Sequence, residues 1–203
     1  MDEQRATVRD GYDAMAETYD ERRSASPTAN EGLVALRESL PADPRVLDLG
    51  CGAGEGPLAT LPTEGAVGLD FSTAQLRLAR ERTDAALVAG DMTALPFDDG
   101  RFDAVTAFYS VIHLPEDEHR DCYAEVARVL RPGGEFLFSI GDDWAGENDD
   151  WLDTGARMAW SFPPLRETER LLEAAGLELV EQYGVRSEMD DAEWPFLRCR
   201  VPE

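Results

Sequence analysis

Residues 45–54 read Arg-Val-Leu-Asp-Leu-Gly-Cys-Gly-Ala-Gly, a short apolar run that ends in alternate glycines. Such a run suits a strand buried on both faces of a parallel sheet. Working outward, comparable runs recur at 66–70 (AVGLD), 86–91 (ALVAGD), 102–108 (FDAVTAF) and 134–140 (GEFLFSI). Helical patterns separate them: STAQLRLARER from Ser72 and PEDEHRDCYAEVARVL from Pro115. The first opens on a capping serine, the second on proline and acidic residues, as helix starts should. The second stops at Arg131-Pro132-Gly133-Gly134. Strands alternating with helices predict an α/β fold, a parallel sheet covered on both faces.

The flanks extend this pattern. Residues 3–23 predict one helix, with Val8, Tyr12, Met15 and Tyr19 on one face. A break follows over Ser24 to Thr28, then a second helix from Asn30 to Leu40 that Pro41 and Pro44 end. Only Glu55 to Gly65 connects the glycine loop to the second strand, with Pro57 and Pro62 inside, so the first crossover helix must be short. After residue 140 come an acidic, Trp-bearing segment, a helix over 164–175, and strands near 177–183 and 196–201. The reading is a single domain over 1–203, with cover helices to 40, a core over 45–140 and a closing segment over 141–203.

Composition bounds the function. The chain has 203 residues, 43% hydrophobic, which fits one globular domain. No run approaches the ~18 apolar residues of a membrane helix, and the N-terminus lacks the order of a secretory signal, so a cytoplasmic protein is expected. Cys51, Cys122 and Cys199 form no CxxC pair and the only histidines are His113 and His119, so no metal site is expected. Every one of the 19 basic residues is arginine, set against 42 acidic ones, for a net charge of −23. Self-repulsion of that size is tolerable where salt screens it, since the Debye length is about 3 Å at 1 M. The expectation is a halophilic, acidic protein whose charge disfavours nucleic acid as a partner. Oligomeric state is not legible.

In an open α/β sheet, ligands bind beyond the carboxyl ends of the strands. Here those ends are Asp48 with Gly50, Gly52 and Gly54, then Asp70, then Asp91 and Met92. The glycines permit a tight turn and close approach of backbone to ligand. Asp70 could take both hydroxyls of a ribose, and Met92 could cover an adenine. Dinucleotides and S-adenosylmethionine both use such a crevice. The G-x-G-x-x-G fingerprint is not met, since Glu55 or Pro57 falls at the last position. A pyrophosphate beside Asp48 would find no basic residue within 46–76, at a cost of about 4 kcal/mol at 4 Å and an effective dielectric near 20. A sulfonium nucleoside suits carboxylate ends better, and the crevice is expected to lack cationic neighbours.

The blocks VLDLGCGAG, GLDFS, AGDMTALPFDDGRFDAV and LRPGGEF resemble, in order and spacing, the motifs of class I S-adenosylmethionine-dependent methyltransferases, most closely the small-molecule group called type 11. YDAMAETYD resembles that group's cover helix. The resemblance implies a Rossmann-like, seven-stranded, mostly parallel sheet with the last strand antiparallel. It implies S-adenosylmethionine as cofactor and S-adenosylhomocysteine as product. Carried over residue by residue, Asp48, Gly50, Cys51, Gly52 and Gly54 would hold the methionine part, although Cys51 read by itself is a small residue that fits the loop. Asp70 would bind the ribose, with Phe71 flanking the adenine and Asp91 and Met92 on its other side. Phe108 would lie under the methionine arm and Tyr19 would close over it.

The acceptor side is read more coarsely. AFYSVIHLP stands where amine-directed nucleic-acid methyltransferases carry Pro-Pro-aromatic, so Tyr109 and His113 face the transfer site and a small-molecule acceptor is expected. His113 is the candidate base for a hydroxyl acceptor, against a purely structural role. His119, in an acidic turn, is expected to be solvated. Tyr12, Trp144 and Trp160, with Trp151, are candidate walls of an apolar pocket, against lid packing. Asp142-Asp143 and Asp149-Asp150 are read as solvated surface. Two other classes stay open: a non-catalytic S-adenosylmethionine-binding protein and a nicotinamide oxidoreductase.

Overall fold

The computed structural model describes residues 3–25, 31–62, 64–187 and 192–203. The glycine-flanked apolar runs become adjacent parallel strands: β1 (Val46–Leu49), β2 (Val67–Asp70), β3 (Ala86–Ala89), β4 (Phe102–Ala107) and β5 (Leu130–Ser139). β8 (Glu178–Arg186) and β9 (Glu193–Arg200) complete a seven-stranded sheet of order β3-β2-β1-β4-β5-β9-β8. β9 runs antiparallel to both neighbours and the other six strands run one way. Registers such as Leu47↔Val67 and Leu47↔Val105 put apolar side chains in rows across the sheet.

One face of the sheet, with Val105, Phe136 and Phe138, packs on Tyr123, Val126 and Val129 of α6 (His119–Val129). The other, with Val46, Ala104, Leu137 and Phe196, packs on Leu33 and Leu36 of α3 (Glu31–Ser39). Burying that many large apolar side chains, at ~1.5–3 kcal/mol each, is what holds the layers together. The crossover helix after the glycine loop, α4, is only Pro57–Thr60. Its N-terminal proline supplies the fixed φ, and Pro62 lies just beyond its end.

Three features differ from expectation. The N-terminal stretch is two helices, α1 (Glu3–Ala14) and α2 (Ala16–Ala25), with a bend at buried Met15. The stripe nevertheless persists, because Val8, Tyr12, Met15 and Tyr19 share one apolar cluster with Ala156, Met158 and Ala159. Most of the expected break, and Asn30, lie outside the described residues. Second, RPGG ends α6 but lies within β5, since the ladder with β4 resumes at Glu135 after a register shift. Third, the Trp-bearing segment is a hairpin apart from the main sheet, β6 (Trp144–Trp151) with β7 (Ala156–Phe162). Its apolar side, on β7, packs against α1, while the acidic residues of β6 face outward. α5 (Thr73–Ala79) and α7 (Leu165–Ala175) follow the expected positions. No helix among the described residues is long and apolar enough to cross a membrane.

Candidate active site

The loop after β1 is shaped by left-handed glycines. Gly50 has φ 69°, and a Cβ there would stand 2.3 Å from the Cβ of Ser110, so no side chain fits. Gly50 and Cys51 both donate to the Leu69 carbonyl at 2.7 and 3.1 Å, which folds the loop over the end of β2. Asp70 then receives the Gly52 N–H at 2.9 Å and the Ser72 N–H at 2.8 Å. Ser72 caps α5, and Asp13 of α1 receives both the Ser72 hydroxyl and the Ala74 N–H.

Three connected lobes open along this loop. An inner lobe of about 680 Å³ is lined by Gly50, Gly52, Asp70, Phe71, Gln75, Asp91, Met92 and Phe108 under Tyr12 and Tyr19. A second, of about 470 Å³, holds Asp48, Cys51, Glu55 and Arg23, and shares Tyr19, Gly50, Gly52 and Phe108 with the first. An outer lobe of about 900 Å³ is walled by Trp144, Trp151, Trp160, Phe162 and Trp194, and shares Tyr12, Tyr19, Tyr109 and His113 with the inner one. Gly54 lies outside all three linings; a Cβ there would meet Ala79 and Thr83 of the helical layer.

The electrostatics depart from the expected cation-free crevice. Arg5 reaches from α1 to pair with Asp91 at 2.5 Å and Glu118 at 2.6 Å. The other Asp91 oxygen receives the Thr93 N–H and hydroxyl, so this carboxylate is engaged within the protein. Arg23 lies 4.3 Å over the Tyr109 ring, between the second and outer lobes. Both arginines sit on the helical stripe through Tyr12 and Tyr19, at spacings of seven and four, which is the signal that could have found them. Deeper in, burial prevails. Asp48 is 1% exposed, accepts the Thr106 hydroxyl at 2.7 Å, and is pushed up to about 7 by burial. Asp70 is raised to about 6, again chiefly by burial. Burial also drives the Cys51 thiol far upward, so it stays protonated.

His113 is buried, with Nδ1 2.8 Å from the Ala159 carbonyl and Nε2 2.9 Å from the Tyr12 hydroxyl. A carbonyl only accepts, so Nδ1 carries the proton, and neutral Nε2 accepts from Tyr12. Burial lowers His113 to about 4, which keeps that neutral form. His119 corrects its expectation: it is fully buried, with Nε2 3.0 Å from the Ser161 carbonyl and Nδ1 3.3 Å from the Tyr123 hydroxyl. The two imidazoles thus tie alternate carbonyls of β7 to the core. Of the expected pocket walls, Trp160 stacks obliquely on His113, while Trp144 is 50% exposed at the rim. The aspartates of the two acidic pairs are exposed.

Comparison with known proteins supplies the class. Residues 46–134 match the family model described as a methyltransferase domain. This stretch is a methyltransferase domain. The chain is 31% identical over 169 residues to the cycloartenol-C-24-methyltransferase 1 of Oryza sativa subsp. japonica, covering 74% of this chain and 48% of that one. It is 41% identical over 96 residues to a demethylmenaquinone methyltransferase of Renibacterium salmoninarum, covering 46% and 39%. The chain therefore spans about half, or less, of these relatives. The fold is similar to that of the 1,6-didemethyltoxoflavin-N1-methyltransferase of Burkholderia thailandensis, solved with its substrate and S-adenosylhomocysteine. There the TM-score is 0.75 at 20% identity, with 98% of this chain and 88% of that one covered.

The crevice of this methyltransferase domain fits the cofactor. Its glycine loop leaves open space beside the backbone at Gly52, where a Cβ would meet only Gln75 Oε1 at 3.7 Å, and among the described residues no arginine forms an ion pair with buried Asp48 or Asp70. A sulfonium and an ammonium group supply positive charge there.

Proposed function

We propose that the chain catalyses methyl transfer from S-adenosylmethionine to a small, largely apolar acceptor. The observation that carries this is the shared wall: Tyr12, Tyr19, Tyr109 and His113 border both the inner lobe beside the glycine loop and the Trp-lined outer lobe. Two reactants bound in these lobes meet at that wall. In this reading Asp48, Gly50, Gly52 and Cys51 hold the methionine end and Asp70 the ribose. Phe71 and Met92 flank the adenine, Phe108 lies beneath and Tyr19 above. Asp91 contributes by shaping the adenine end through Arg5, and Gly54 by packing the loop. The whole chain serves as one unit of the type 11 kind, cytoplasmic and suited to high salt, needing neither metal nor nucleic acid.

The bound cofactor supplies an electrophilic methyl on a good leaving group. The protein's own work is alignment and exclusion of water, which can supply about 7–11 kcal/mol. The Trp and Tyr walls do both. For a hydroxyl acceptor, Tyr12 and His113 are placed to move a proton: Tyr12 can take it while passing its own to Nε2. A base matched to the working pH adds about 10²–10⁴-fold, and His113, lowered to about 4, falls short of that.

The test is S-adenosylhomocysteine formation from S-adenosylmethionine and a fractionated metabolite pool in 2 M KCl. Turnover lost together with cofactor binding in Asp70→Ala supports the enzyme. Binding without turnover over every fraction would favour the non-catalytic alternative, and binding of NAD in place of S-adenosylmethionine would favour the oxidoreductase.

A further inference from the structure

The outer lobe departs from the charge of the chain around it. Acidic residues number 42 among 203, yet among the described residues no aspartate or glutamate lines this lobe. Arg23 is the one ionised side chain in that lining, because burial keeps His113 neutral. β6 gives the lobe Trp144 and Trp151, while its Glu147, Asp149 and Asp150 are exposed and outside the lining. Arg23 is half-buried and forms no ion pair among the described residues. Asp20, three positions back on α2, is taken by both terminal nitrogens of Arg82. The Arg23 guanidinium lies instead 4.3 Å over the Tyr109 ring. That ring is itself fixed: Tyr109 has φ 53°, gives its N–H to Ser139 Oγ at 2.6 Å, and stands edge-on to Trp194 and Phe196. A left-handed tyrosine is strained, and its surroundings hold it there. Stacking uses the face of a guanidinium and leaves its N–H edge for a planar acid. Arg23 borders the second lobe too, but Tyr109, the ring beneath it, borders only the inner and outer ones.

We propose that the acceptor is an aromatic carboxylic acid, with Arg23 holding its carboxylate and the tryptophans of the outer lobe holding its rings. This rests on the methyl-transfer reading given above and names the acceptor class for the same lobe. The chemistry is complementary. Tryptophan and tyrosine walls favour a flat ring body through edge-to-face and offset contacts. A carboxylate meets the guanidinium fork with charge-assisted hydrogen bonds, the strong kind. A cationic ligand would face Arg23 as a like charge, and a neutral one would leave it unanswered. The net charge of −23 repels anions at long range, but salt shortens that reach to about 3 Å at 1 M, so the local contact decides.

The experiment is calorimetry in 2 M KCl at pH 8 with wild type, Arg23→Gln and Arg23→Lys, each saturated with S-adenosylhomocysteine. The probes are benzoate, 2-naphthoate and indole-3-acetate, each beside its neutral amide. At least one acid should bind wild type about tenfold or more tightly than its amide, the gain expected of a charge-assisted pair. Arg23→Gln should erase that preference while its affinities for the amides and for S-adenosylhomocysteine stay within about twofold of wild type. Arg23→Lys, which keeps the charge and loses the fork, should restore part of it. No acid preferred over its amide in wild type overturns the proposal, as does a preference that survives in Arg23→Gln. Equal weakening of acids and amides marks a merely structural stack and overturns it too. So does a loss confined to S-adenosylhomocysteine, which would assign the guanidinium to the cofactor's own carboxylate. Absence of heat with wild type and S-adenosylhomocysteine overturns the transfer reading alone; acids against amides on the ligand-free protein then decide the acid site by the same criteria.

Discussion

Asp48→Asn separates what the glycine-loop carboxylate does for the cofactor from what it costs the fold. Asp48 is essentially inaccessible, and its carboxylate accepts the Thr106 hydroxyl, which an asparagine oxygen can also accept. Its carboxyl titrates near 7 in the folded protein against an ordinary 3.8, with burial the largest cause. The sign follows: a carboxylate raised on folding weighs against the native state above its ordinary value. That cost grows with pH until about 7 and is flat beyond. At about 1.4 kcal/mol per pH unit, the cost is roughly 4 kcal/mol at pH 8 and roughly 2 at pH 5.5. The asparagine variant escapes it, apart from about 1–2 kcal/mol for its new NH₂ group, which needs a partner. We expect the ligand-free variant to melt above wild type by about 5–10 °C at pH 8, with most of that gap closed at pH 5.5. Comparing variant with wild type at each pH cancels the two buried histidines, whose lowered values make the native state lose stability on acidification. Affinity for cationic S-adenosylmethionine should fall at least tenfold. Melting scans and calorimetry in 2 M KCl check both halves. A variant less stable than wild type at pH 8, or one whose gap widens on acidification, would refute this account of the buried charge.

Gly50→Ala should cost about 2–4 kcal/mol, from the left-handed backbone and the clash with Ser110, and should abolish cofactor binding; a melting shift under 3 °C counts against the loop geometry. His119→Ala should lose about 2–4 kcal/mol by leaving a cavity and an unpaired Ser161 carbonyl, and urea titrations will read it; a loss below 0.5 kcal/mol would return this residue to the surface. A KCl series from 0.05 to 2 M should raise the wild-type melting temperature steadily, and equal stability across the series would remove salt as the counterweight to the −23 charge.

The sheet was legible because its strands are apolar runs punctuated by glycine and aspartate, a local signal that tertiary context reinforces. The hairpin was not. β6 carries Gly-Glu-Asn-Asp-Asp, which has no strand propensity, and it is held extended by pairing with β7 and by ring contacts such as Trp144 with Phe162. His119 looked solvated because Glu116 to Glu118 and Arg120 surround it in sequence. Its helical neighbours at three, four and seven positions on, Cys122, Tyr123 and Val126, are the buried face, and that spacing outweighs adjacency. Arg5 and Arg23 lie outside residues 46–76, and the cover helices bring their charge to the crevice from far along the chain.

Among the described residues the β6–β7 hairpin shares no ladder with the seven-stranded sheet, and side-chain packing, an Arg22–Asp153 ion pair and two imidazole tethers join it to the rest of the molecule. Three tryptophans of the outer lobe, Trp144, Trp151 and Trp160, therefore sit on a part that the glycine loop does not build. If the outer lobe holds the acceptor, as proposed, exchanging the hairpin should change acceptor preference while the glycine loop stays as it is. Grafting experiments between distant relatives should begin and end at the strand–hairpin junctions near Gly141 and Pro163.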